Sequence, residues 1–184
     1  MTSPVARYVA LLRAVNLGGK TEVDLEAVRG MFRSLGLEEV VSVLRSGNVV
    51  FNAPAQPSER LEGRLESEAR RRLALDTAFL VRSAAQWSQT LARNPFPEMA
   101  EKDPGHLLVA FLKDAPDAEH WKALREAIRG PEKVEGRERE AYLVYPEGVG
   151  RSRLTAQFIE RHLGTRGTSR NWNTVRKLAS LLNG

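Results

Sequence analysis

The sequence contains no cysteine. Disulfides, thiolate metal sites, iron–sulfur clusters and cysteine nucleophiles are therefore excluded. No apolar run approaches the roughly 20 residues that span a bilayer, so no membrane partner is expected. The N-terminal apolar stretch carries Arg7 and lacks a secretory layout, so the expected location is cytoplasmic. Aromatic residues make up only 7% of the chain, which leaves little for a sheet of base-stacking platforms. The three histidines, His106, His120 and His162, share no metal-ligand spacing, and no glycine-flanked serine elbow occurs. No metal is expected and no cofactor is evident. No nucleophile or base stands beside an identifiable partner, so the sequence decides neither for nor against an enzyme.

What is present is an ordinary globular composition, 28% charged over 184 residues, with a net charge of +5. The charge is unevenly placed. Residues 1–150 are near neutral, whereas residues 151–184 hold seven Lys/Arg against Glu160 alone. A field of that sign attracts anions.

The apolar stretch 5–13 reads as a buried strand, followed by a loop with Gly18 and Gly19. Asp24 is a helix cap before Leu25, Val28, Met31, Phe32 and Leu35, and Gly36 is the stop. Residues 38–45 and Val49–Phe51 read as two strands punctuated by Ser46-Gly47-Asn48. Ser58 opens a long helix to residue 74. Its carboxylates, Glu66 and Glu68 among them, stand four residues before arginines and predict a solvated face. A strand at 77–82 and a short helix through Trp87 follow. Residues 93–105 carry three prolines and no periodicity and read as a linker. Beyond it come a strand at 106–113, a helix opened by Asp117, a weak edge strand at 132–138 and a strand at 140–145. A helix capped by Ser152 and a last helix from Asn173 to Leu182 complete the chain.

This order predicts an α+β fold of two ferredoxin-like (split βαβ) subdomains with a C-terminal helical extension. The predicted boundaries are 1–92, a linker at 93–105, and 106–184. No residue-level repeat is visible between the halves.

Three segments carry polar groups in patterns suited to anions. The loop Arg13 to Thr21 includes Asn16, Gly18, Gly19 and Lys20. It fits a relaxed phosphate-loop pattern with Ala14 in the first glycine position. Ser46 and Asn48 flank a glycine between strands. Arg170, Asn171, Asn173 and Thr174 cluster where a helix begins, and helix starts present unpaired N–H groups to anions. Asn171 or Asn173 would also serve simply as a cap.

The stretches LLRAVNLGGK (11–20), VLRSGNVVF (43–51), NPF (94–96) and RNWNTVRKL (170–178) occur in that order. Together they resemble an uncharacterised bacterial family catalogued as domain of unknown function 1697. The resemblance implies a cytosolic α+β protein of two ferredoxin-like subdomains. It implies no reaction and no catalytic residues. The family's loop is Asn-x-Gly-Gly-Lys followed by varied residues, so Thr21 falls outside the shared pattern and the phosphate-loop reading weakens. Ala14 stands where the family commonly has glycine, and Leu25 where methionine is expected.

The leading expectation is a binder of an anionic, phosphate-bearing small molecule in a cleft between the subdomains. Its ligand groups would be Arg13, Asn16, Gly18, Gly19, Lys20, Ser46, Asn48, Arg170, Asn171, Asn173 and Thr174. One alternative is single-stranded RNA or DNA binding through the basic C-terminal segment and Trp172. Another is a phosphate-loop nucleotide-dependent enzyme. The sequence names no protein partner.

Overall fold

The computed structural model describes residues 4–13, 24–44 and 46–184. Strand β1 (Val5–Leu12) is followed by helix α1 (Leu25–Ser34). The Asp24 carboxylate caps α1, accepting from the Glu26 amide at 2.8 Å, and Gly36, with φ of 75°, turns the chain out. Then come β2 (Glu38–Val43), β3 (Asn48–Pro54), α2 (Ser58–Leu73), β4 (Phe79–Ser83) and α3 (Ala84–Ala92). The second series runs α4 (Pro97–Lys102), β5 (Leu107–Leu112), α5 (Ala118–Ala127), β6 (Lys133–Arg137) and β7 (Glu140–Val144). A single 3-10 turn at Val149–Arg151 leads to α6 (Ala156–Leu163), β8 (Gly167–Asn171) and α7 (Trp172–Leu182).

The strands form two antiparallel sheets, ordered β2-β3-β1-β4 and β6-β7-β5-β8. Each has the order of a ferredoxin-like unit, so the chain is an α+β protein of two such subdomains ending in a helix. It divides into two compact units, Met1–Ser88 with Leu178–Gly184, and Gln89–Lys177. The sequence reading draws its boundaries at 92/93 and 105/106. The Pro-rich segment falls inside the second unit, and the last seven residues group with the first.

Three local expectations need correction. The Pro-rich segment contains α4, because Pro97 occupies the first helical turn, where its missing N–H costs nothing. Residues 167–171 form β8, paired to β5 from Leu108↔Asn171 to Leu112↔Gly167. An edge strand of Gly, Thr, Ser, Arg and Asn lacks the apolar alternation that marks a strand in sequence. Ser152 does not cap α6. Thr155 does, its hydroxyl accepting from the Phe158 amide at 3.2 Å.

The two units agree in register as well as element order. Val9 pairs with Arg82 as Val109 pairs with Arg170, and Leu12 pairs with Phe79 as Leu112 pairs with Gly167. The Arg13 amide donates to the Ala78 carbonyl at 2.9 Å, and the Lys113 amide to that of Arg166 at 2.8 Å. Ser83 caps α3 through the Gln86 amide, and Asn171 caps α7 through the Thr174 amide. Helix α7 is thus the counterpart of α3.

Edge strand β4 shows how the carboxylates of α2 are used. Its outward amides at Phe79, Val81 and Ser83 donate to Glu66 (3.1 Å), Glu62 (2.9 Å) and Gln86 (2.9 Å). This row closes the edge against further strand pairing. The expected solvated face is therefore only partial. Glu68 sits between Arg71 and Arg72, but Glu62 is fully buried.

In the first unit, Phe32, Phe51, Phe79 and Tyr8 pack with Leu61 and Leu65 between the sheet and α1 and α2. In the second, Trp121, Leu124, Leu143, Ile159 and Leu163 fill the matching space. Gly136 on β6 lies beneath the Trp121 ring, and a Cβ there would stand 2.5 Å from ring carbons. Gly136→Ala is expected to cost about 1–3 kcal/mol through overpacking, read as a lower urea midpoint at unchanged slope. A wild-type midpoint would overturn the account.

Candidate functional site: an arginine-lined pocket

Among the described residues, several of those singled out in the sequence make hydrogen bonds within the fold. Asn16, Gly18, Gly19 and Lys20 lie outside the described residues. Arg13 follows β1, and its carbonyl accepts from the Thr77 hydroxyl at 2.7 Å. The buried Asn48 amide donates to the Val43 carbonyl and the Ser46 hydroxyl, both at 2.9 Å, and so ties the β2–β3 turn. Arg170 is 7% exposed within β8 and donates to Thr168 Oγ1 and to the Ser169 carbonyl, both at 2.8 Å. Burial pulls its pKa down to about 10. Asn171 is the α7 cap, accepting from Thr174 at 3.0 Å, while Asn173 is exposed beside it. Trp172 is 4% exposed and presents no face for base stacking. Asn171 and Thr174 meet at the β8–α7 junction, while the Arg170 guanidinium turns back onto Thr168 and Ser169.

A second constellation emerges from comparing the two units. Glu66 accepts from the Phe79 amide in the first unit, and Glu160 accepts from the Gly167 amide in the second, at 2.9 Å. This match aligns α2 with α6 and sets Ser58–Leu61 against residues 152–155. The first turn of α2 therefore has no helical counterpart, since α6 starts only at Ala156. The same alignment sets Phe158 against Arg64. Matching the Asp24 and Asp117 caps sets Ile128 against Leu35. In the first unit Arg64 reaches across to the Leu35 carbonyl at 3.2 Å. In the second unit that cation is replaced by an aromatic ring, the helical turn is missing, and a pocket of about 430 Å³ opens. Its size lies within the roughly 300–1,000 Å³ range of small-molecule sites.

The pocket is built from three pieces of the second unit. The end of α5 and the loop after it supply Ile128, Arg129, Pro131 and Glu132. The segment after β7 supplies Glu147, Arg151, Arg153 and Leu154, and α6 supplies Phe158. The floor is fixed. Leu154 is buried, and its carbonyl accepts from the Tyr145 hydroxyl at 2.9 Å. Burial holds that hydroxyl above its ordinary pKa, so it remains a donor. Phe158 lies against the His162 ring with centroids 4.2 Å apart.

The rim is cationic. Arg129, Arg151 and Arg153 are exposed, and among the described residues their guanidinium groups make no hydrogen bond or ion pair. Glu132 is held by the Ser152 hydroxyl, which also accepts from the Leu154 amide at 2.9 Å. Such a site offers fork-shaped cationic donors above an apolar floor, the chemistry that binds phosphate and carboxylate groups. Arg151 and Arg153 belong to the basic C-terminal segment, and no motif in the sequence marks them as a site. Arg153 has no carboxylate three or four residues away, unlike the paired arginines of α2, whereas Arg151 follows Glu147 by four.

The comparisons agree with the architecture. The conserved bacterial protein SP0830 from Streptococcus pneumoniae has a similar fold, with a TM-score of 0.75 at 24% identity. The similarity covers 97% of this chain and 99% of that one. No curated protein matches this chain. Residues 5–142 match the family described as Protein of unknown function (DUF1697), and with three-quarters of its length inside that match the chain belongs to this family.

Proposed function

We propose that the protein binds a small, phosphate-bearing organic anion, and that the second-unit pocket receives it. The observation carrying this reading is the trio of Arg129, Arg151 and Arg153, partnerless among the described residues, around a concave apolar floor. Three cations that pair with neither Glu132 nor Glu147 keep their donors available, and an anion among them gains charge-assisted hydrogen bonds. A charge-assisted hydrogen bond contributes about 1.5–3 kcal/mol, so two lost arginines weaken binding by about 100-fold or more.

Calorimetric titration tests this with inorganic phosphate, ribose phosphate and adenosine monophosphate at low and moderate salt. The wild type is expected to bind at least one of the organic phosphates. Arg151→Ala/Arg153→Ala is expected to lose about 100-fold or more in affinity. Arg60→Ala, an exposed site in the first unit, is expected to bind as the wild type does. Equal binding by the double variant, or no binding by the wild type, would overturn the reading.

A further inference from the structure

An anion pocket has no electrostatic use for a carboxylate, yet Glu132 and Glu147 line this one; of the two, Glu132 is the one anchored by a hydroxyl, that of Ser152. It is not there to neutralise the arginines, since among the described residues it pairs with none of the three. It is held from two sides. The Ser152 hydroxyl donates to it, and the absent side chain of Gly130 leaves its place, since a Cβ there would overlap the carboxylate. A carboxylate has only acceptor capacity, so Glu132 offers its remaining lone pairs to a ligand donor. The apolar surfaces of Ile128, Pro131 and Phe158 lie in the same pocket.

The ligand must then carry three features: a phosphate, a flat apolar body and an N–H donor. Resting on the anion-binding reading above, we infer that the ligand is a nucleoside monophosphate whose base bears an exocyclic amine. The arginines take the phosphate. The apolar surfaces take the faces of the base, and Glu132 accepts from the amine. A site built to hydrogen-bond one group rejects an analogue lacking it, because its own polar group is left unpaired.

The test compares adenosine monophosphate, purine riboside monophosphate (the same molecule without the amine) and ribose phosphate, by calorimetric titration. For the wild type, adenosine monophosphate is expected to bind at least about tenfold tighter than either of the others. Glu132→Ala is expected to erase the preference over purine riboside monophosphate. Ser152→Ala, which keeps the charge but removes its anchor, is expected to reduce that preference. Removing a negative charge tightens all three anions together, so the ratio, not the affinity, is the readout. Equal binding of the two nucleotides by the wild type, or a preference that survives Glu132→Ala, would overturn base recognition and leave anion binding standing. Anion binding itself falls separately, if ribose phosphate and both nucleotides ignore Arg151→Ala/Arg153→Ala.

Discussion

Glu62→Ala is expected to destabilise the protein by about 3–5 kcal/mol, the usual cost of removing one member of a buried ion pair. At roughly 2–4 °C per kcal/mol for a chain of this size, the melting temperature should fall by about 10 °C. The reason lies at the β4 edge. Glu62 Oε1 accepts from the Val81 amide at 2.9 Å and faces the Arg82 guanidinium at 3.5 Å, with both side chains almost wholly buried. Alanine removes the acceptor for a strand amide and the carboxylate that faces a buried cation. Glu62→Gln keeps an acceptor and should lose less. Glu66→Ala, at a half-buried site serving the Phe79 amide, should cost nearer 1 kcal/mol. In the second unit Ala156 stands at the matching position, and Arg170 donates to Thr168 and Ser169. A melting temperature unchanged in Glu62→Ala would sink the account.

Phe32→Ala should be comparably severe, at about 3–5 kcal/mol by denaturant unfolding. Phe32 is completely buried on α1. Its ring meets Phe51 edge-on, with centroids 5.2 Å apart and planes at 78°, and lies 6.1 Å from Phe79. Phe51 in turn stacks on Tyr8 at 5.7 Å. Deleting Phe32 therefore removes its buried apolar area and also unsupports two neighbouring rings. Phe32→Leu retains most of the volume and should cost less than about 1.5 kcal/mol. Equal losses for the two substitutions would show that shape, not volume, governs this core.

Helix α1 was legible because its signals are local: an Asp cap, apolar residues at helical spacing and a terminal glycine act within a few residues of one another. Strands β1 and β5 were legible because central strands buried on both faces read as continuous apolar runs. β8 was not, since its partner β5 lies more than fifty residues away and its own side chains are polar. The caps show the same division. Asp24 and Asp117 cap the helices the sequence assigned to them, but Ser152 and Thr155 are both competent caps three residues apart. Ser152 instead holds Glu132, a partner twenty residues away.

The candidate site was the least legible part. Arg170, Asn171 and Asn48 look chemically rich in one dimension, but packing commits them to a strand, a cap and a turn. Arg129 and Arg153 look like ordinary surface cations until the shortened α6 brings their segments around one cavity. By itself the sequence determined fold class, family and the starts of α1 and α5, because periodicity and capping are short-range chemistry. Only the tertiary structure decided which polar groups are consumed by the fold and which stay available. That outcome depends on partners distant in the chain, and burial makes each such pairing costly to leave unmade.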